Sequence, residues 1–91
     1  MVAQPVTKPE HDVVEVIYLG DPRPMTYQPH ESVEAALNRA LDLFGITTNR
    51  HIMALFDADG EEITDEKQSM QSAGVKPGDK LMLGQSKVKG G

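Results

Sequence analysis

Two hydrophobic periods follow one another in the first half of this chain, and their order leaves few folds open. The run Val13-Val14-Glu15-Val16-Ile17-Tyr18-Leu19 is β-branched and aromatic, with Glu15 facing water, and reads as a strand. Gly20-Asp21-Pro22-Arg23-Pro24 is dense in turn residues, and a return strand is expected over 24–28. Period two then sends Val14, Val16 and Tyr18 inward, with Met25 and Tyr27 as their matches on the return strand. After this hairpin the period changes. Val33, Ala36, Leu37, Ala40, Leu41 and Phe44 recur at helical spacing and leave Glu34, Asn38, Arg39 and Asp42 outward. Ser32 is the expected N-cap, Glu34 complements the first turn, and Gly45 supplies the left-handed stop.

Beyond the helix the apolar runs are short. Residues 51–56 are expected to form a third strand, the Asp57-Ala58-Asp59-Gly60 turn leads to a brief fourth around Glu62 and Ile63, and Lys80-Leu81-Met82-Leu83 forms the last. Between them 65–75 is mostly polar, anchored only by Met70, Ala73 and Val75, and should cross the domain as a loop. This order allows the first and last strands to pair in parallel beneath the helix. The fold class is α+β, a mixed four- to five-stranded sheet packed against one main helix. Three segments are expected: a disordered lead over 1–12, a folded domain over 13–84, and a flexible tail over 85–91, since neither end has the apolar anchors that ordering requires.

Composition narrows the function. Ninety-one residues make one small domain whose apolar positions are mostly needed for its core. Fourteen acidic residues against nine basic give a formal charge of -5, which disfavours binding to nucleic acid and to anionic membranes. The chain has no cysteine, hence no disulfide, thiolate nucleophile or cysteine-based zinc site. The N-terminus lacks a signal-like apolar run, and no stretch approaches the ~20 apolar residues that span a bilayer, so a cytoplasmic monomer is expected.

Catalytic and metal constellations are weak. Asp57, Asp59 and Glu66 have part of a calcium-loop spacing, but Leu55 stands where the first oxygen ligand belongs, and a turn accounts for the segment. His11, His30 and His51 lack ligand spacing, and the pairs Glu61-Glu62 and Asp65-Glu66 read as solvated faces. No intrinsic catalysis, metal or cofactor is expected.

Several stretches together resemble ubiquitin and its relatives over residues 13–91. Tyr27-Gln28-Pro29-His30-Glu31-Ser32-Val33 is similar to ubiquitin's strand exit and helix start, and Gly45-Ile46 to its helix-ending glycine and following isoleucine. Met70-Gln71-Ser72-Ala73-Gly74-Val75-Lys76-Pro77-Gly78-Asp79 is similar to the loop before the last strand, and Gly90-Gly91 falls at about the expected distance after Leu83. The resemblance implies the ubiquitin-like β-grasp fold, in a distant relative of the kind found among bacterial ubiquitin-like proteins. It implies a protein modifier whose Gly91 carboxylate is activated by an adenylating enzyme, carried by a conjugating enzyme and joined to target amines. A β-grasp sulfur carrier ending in a thiocarboxylate, and a noncovalent adaptor, are the alternatives. Lys87 lies where ubiquitin has an arginine that helps activating enzymes choose their substrate, so it is a candidate for recognition beside a plain solvated charge. Phe56 and Met82 align with an exposed isoleucine and histidine, and Gly84 with a valine of the same patch; Phe56 and Met82 are candidates for partner docking, with core packing as the alternative because residues 51–56 show no clean alternation. The tail is one residue longer than ubiquitin's and the first hairpin shorter.

Overall fold

The computed structural model describes residues 12–89. Strands β1 (Asp12–Tyr18) and β2 (Asp21–Tyr27) form a hairpin, followed by helix α1 (Val33–Leu43), a 3-10 turn (Arg50–Ile52), β3 (Met53–Phe56) and β4 (Lys80–Gln85). The sheet order is β2-β1-β4-β3. β1 and β4 run parallel, with Val16 opposite Leu81, while the other two pairs are antiparallel.

The hairpin closes on two residues, Leu19 at φ 53° and Gly20 at φ 82°. Both central positions are left-handed, as the twist of a two-residue hairpin demands. Leucine adopts this conformation at a cost of about 1 kcal/mol. The return strand therefore begins at Asp21, three residues before the expected start at Pro24, and takes in Pro22 as well. The prolines are tolerated because β2 lies at the sheet edge and Pro22 and Pro24 face Ile17 and Glu15 at alternate positions. With Tyr18–Asp21 as the hydrogen-bonded closing pair, the proline nitrogens point away from β1.

The helix is bounded as its sequence suggests. Ser32 accepts a hydrogen bond from the Ala35 amide at 3.1 Å. At the other end Gly45, at φ 68°, donates to the Asp42 carbonyl and Ile46 to that of Leu41, the paired bonds of a Schellman motif. The crossing segment supplies what the cap does not: the amides of Val33 and Glu34 donate to the carbonyls of Gln68 and Glu66, both at 2.9 Å. The first three helical amides are thus all satisfied.

The core lies between α1 and one face of the sheet. Val14, Val16, Tyr27, Val33, Leu37, Leu81 and Leu83 are all buried as expected, joined by Met25, Leu55, Ile63 and Met70. Met70 has no exposed surface and pins the crossing segment, whose backbone also donates to Glu31 and Pro29. Tyr18 is only half-buried, edge-on to Phe44 at 5.5 Å.

Two expected strands differ. Residues 50–52 form a 3-10 turn because Asn49 sits at φ 57°, so β3 starts only at Met53. Glu62 makes a single bridge to Phe56 in place of a fourth strand, since Ile63 turns inward to the core after its amide donates to the Leu55 carbonyl. Among the described residues the sheet has four strands. No helix among the described residues is long and apolar enough to cross a membrane. Leu83 is 4% exposed. Leu83→Ala should therefore cost about 2 to 5 kcal/mol, read as a lower urea midpoint at unchanged slope.

Candidate functional site

β4 is an interior strand and leads directly to the chain's last residues. Its alternation sends Leu81 and Leu83 into the core and Met82 and Gly84 to the outer face. There Met82 lies opposite Ile17 and Phe56, and Gly84 opposite Ala54. Gly84 borders the Phe56 ring, since a Cβ at this position would stand 3.7 Å from Phe56 Cε1, ordinary contact. Phe56 and Met82 are neighbours, as the sequence alignment implied, but they are not a matched exposed pair. Phe56 is 9% exposed, while Met82 is half-buried. The Lys87 ammonium lies 5.9 Å from the centroid of the Phe56 ring, on its face, within cation–π range.

The segment after β4 also differs from expectation. Gln85 is the last residue of the strand, and Ser86 is buried, its amide donating 2.7 Å to the Ile52 carbonyl. The Ser86 hydroxyl donates to Glu62 and accepts from the amides of Val88 at 3.0 Å and Lys89 at 2.8 Å. The Lys87 amide donates 2.7 Å to the other Glu62 oxygen. The Lys89 ammonium donates to the Met53 carbonyl and to Glu66, both at 2.7 Å. Residues 85–89 are therefore anchored, by polar contacts that a search for apolar anchors does not register. Gly90 and Gly91 lie outside the described residues, as do residues 1–11 of the expected lead over 1–12, while Asp12 is the first residue of β1.

Desolvation raises the Glu62 pKa, but the Ser86 hydroxyl, the Lys87 amide and the charges of Lys89 and Lys87 outweigh it, leaving the carboxyl below its usual range. The Lys89–Glu66 pair, at 27% and 17% side-chain exposure, is better sheltered than a surface ion pair. Sequence reasoning missed Ser86, Glu62, Glu66 and Lys89, and read the two glutamates as solvated. It also missed Leu19, which is 87% exposed at the hairpin tip. Asp57, considered as a calcium ligand, instead accepts the amides of Asp59 and Glu61 within a turn.

No family model matches the chain, and no curated protein matches it by sequence. Solved structures do. Caldiarchaeum subterraneum ubiquitin superposes with a TM-score of 0.69 at 20% identity, over 88% of this chain and 99% of that one. The ubiquitin-like domain of an Arabidopsis thaliana protein gives 0.71 at 12% identity, over 100% and 94%. The fold is the ubiquitin-like β-grasp. A third match, ATBAG1 in complex with HSP70, gives 0.69 at 20% identity over 86% of this chain and 42% of that one.

Two outcomes follow from the site. Phe56→Ala should cost about 1.5 to 3 kcal/mol of stability and Met82→Ala clearly less, checked by urea unfolding. The Lys87 amide resonance should titrate with Glu62, at a midpoint below that of an unperturbed glutamate. The sign follows from the lowered folded-state value: the stabilising contribution is complete above the ordinary glutamate pKa and is lost as pH falls below it.

Proposed function

We propose that this ubiquitin-like domain is a protein modifier whose Gly91 carboxylate is activated by an adenylating enzyme and transferred to target amines. The observation that carries the reading is the coupling of fold and tail: an interior strand of a β-grasp sheet leads, through a short anchored segment, to Gly90-Gly91. A carboxylate resists nucleophilic attack until its oxygen becomes a leaving group. In the proposed reaction the Gly91 carboxylate attacks the α-phosphorus of ATP and expels pyrophosphate. A partner thiolate then displaces AMP to give a thioester, and a lysine amine displaces the thiolate to give an amide. The domain is the substrate in each step. Two glycines fit a narrow channel because they have no side chain to clash with its walls.

Lys87 is the proposed selector for the activating enzyme, and the half-exposed Met82 a docking position on the outer face. Phe56 is too covered to serve. The proposed setting is the cytoplasm, with the activating enzyme, a conjugating enzyme and protein targets as partners, and the negative net charge sets nucleic acid and anionic membranes aside.

With a cognate activating enzyme and ATP, the wild type should support pyrophosphate exchange, and both Gly91 deletion and Gly90→Val should abolish it without unfolding the domain. Trypsin cuts after Lys89, so conjugated targets should carry a diglycine remnant on lysine. A gain of about 16 Da at the terminal carboxylate without remnants would establish a sulfur carrier instead, the other product open to an acyl-adenylate. Full cellular activity of the Gly91 deletion would leave only a noncovalent adaptor.

A further inference from the structure

β3 lies at the sheet edge. The Ile52 carbonyl points toward β4, where it accepts the Ser86 amide, so by alternation the Met53 and Leu55 carbonyls point outward from the sheet. Both are occupied. Leu55 accepts the Ile63 amide, and Met53 accepts the Lys89 ammonium. To deliver that ammonium, the chain leaves β4, turns at Ser86 and crosses to the outer side of β3, where Glu62 and Glu66 stand.

We propose that residues 86–89 are a strap, closed in the free domain, that must open before any enzyme can take this segment in extended form. The inference rests on the modifier reading for its biological sense and on this geometry for its existence. The amides of Lys87, Val88 and Lys89 are all accepted by side chains, the first by Glu62 and the other two by the single hydroxyl of Ser86. One oxygen serves amides two and three residues ahead only if the chain is folded into a turn. An extended strand places successive residues more than 3 Å apart, so threading the tail into a channel breaks these bonds together with the Lys89 contacts to Met53 and Glu66. The strap is thus closed or threaded, never both. Its ion pair is Lys89 with Glu66, so a partner with an acidic channel mouth competes directly for Lys89. The closed state needs no partner.

Trypsin is a suitable probe enzyme, because it must bind residues around Lys89 in extended form. In the full chain, Glu62→Ala with Glu66→Ala should speed cleavage after Lys89, read by intact mass as loss of Gly90-Gly91, by about tenfold, the order set by losing charge-assisted hydrogen bonds. Hydrogen exchange of the Lys87, Val88 and Lys89 amides should rise by a similar factor, while the amides of Val16 and Leu81 keep their protection and report an intact sheet. Should the double variant fold poorly, Ser86→Ala removes the acceptor for Val88 and Lys89 and should give the same direction. Equal cleavage and equal exchange in wild type and variants would overturn the strap. Neither measurement uses an activating enzyme, so absence of pyrophosphate exchange would remove the modifier reading and leave the strap standing, and failure of the strap would leave the modifier reading untouched.

Discussion

The parallel pairing of β1 with β4 governs the rest of the molecule. Val16 faces Leu81 in the middle of the sheet, both are almost fully buried, and they come from opposite ends of the chain. A parallel pair cannot be closed by a tight turn, so everything between must pass over one face and return. The helix makes the first part of this passage and shields the apolar side of the sheet. The segment 65–75 makes the second, and it is held by tasks it performs for the helix, accepting the amides of Val33 and Glu34 and burying Met70. Loop closure over such a distance carries an entropic cost that the core must offset, which leaves a domain of this size little surplus stability.

How much of this could be read from the sequence depended on range. The Ser32 cap, the stop at Gly45 and the apolar stripe of α1 are decided within a few residues, and all three are as expected. The hairpin was legible in its pairing but not in its turn. Pro22 and Pro24 look like strand breakers until the strand is known to lie at an edge, and that is a property of the whole sheet. Asn49 carried a left-handed signal that an apolar run from 51 concealed. Glu62 and Ile63 had strand character, but core burial of Ile63 ended the pairing after one bridge.

The tail was the least legible part. Gly90 and Gly91 stand out by composition, whereas the contacts that hold Ser86 and Lys89 join them to Glu62 and Glu66, 24 and 23 residues earlier. No local period encodes such a pairing. Polar side chains at a chain end ordinarily signal solvation, and here the same residues form a compact hydrogen-bonded turn because the end of β4 lies beside the start of β3. Phe56 illustrates the same limit. Its position on the outer face follows from alternation, but its contact with the Lys87 ammonium comes from beyond the end of a neighbouring strand.

The two margins of the sheet share a property that bears on crowding among copies of the domain. An open sheet edge is a template, and identical chains can add to it strand upon strand until they aggregate. Here one margin carries Pro22 and Pro24, which have no amide hydrogen to offer. At the other, the carbonyls of Met53 and Leu55 are already taken by Lys89 and Ile63. Among the described residues, each margin thus has fewer backbone groups to offer a further strand. Contacts made by the domain are thereby turned away from strand addition and toward its side chains.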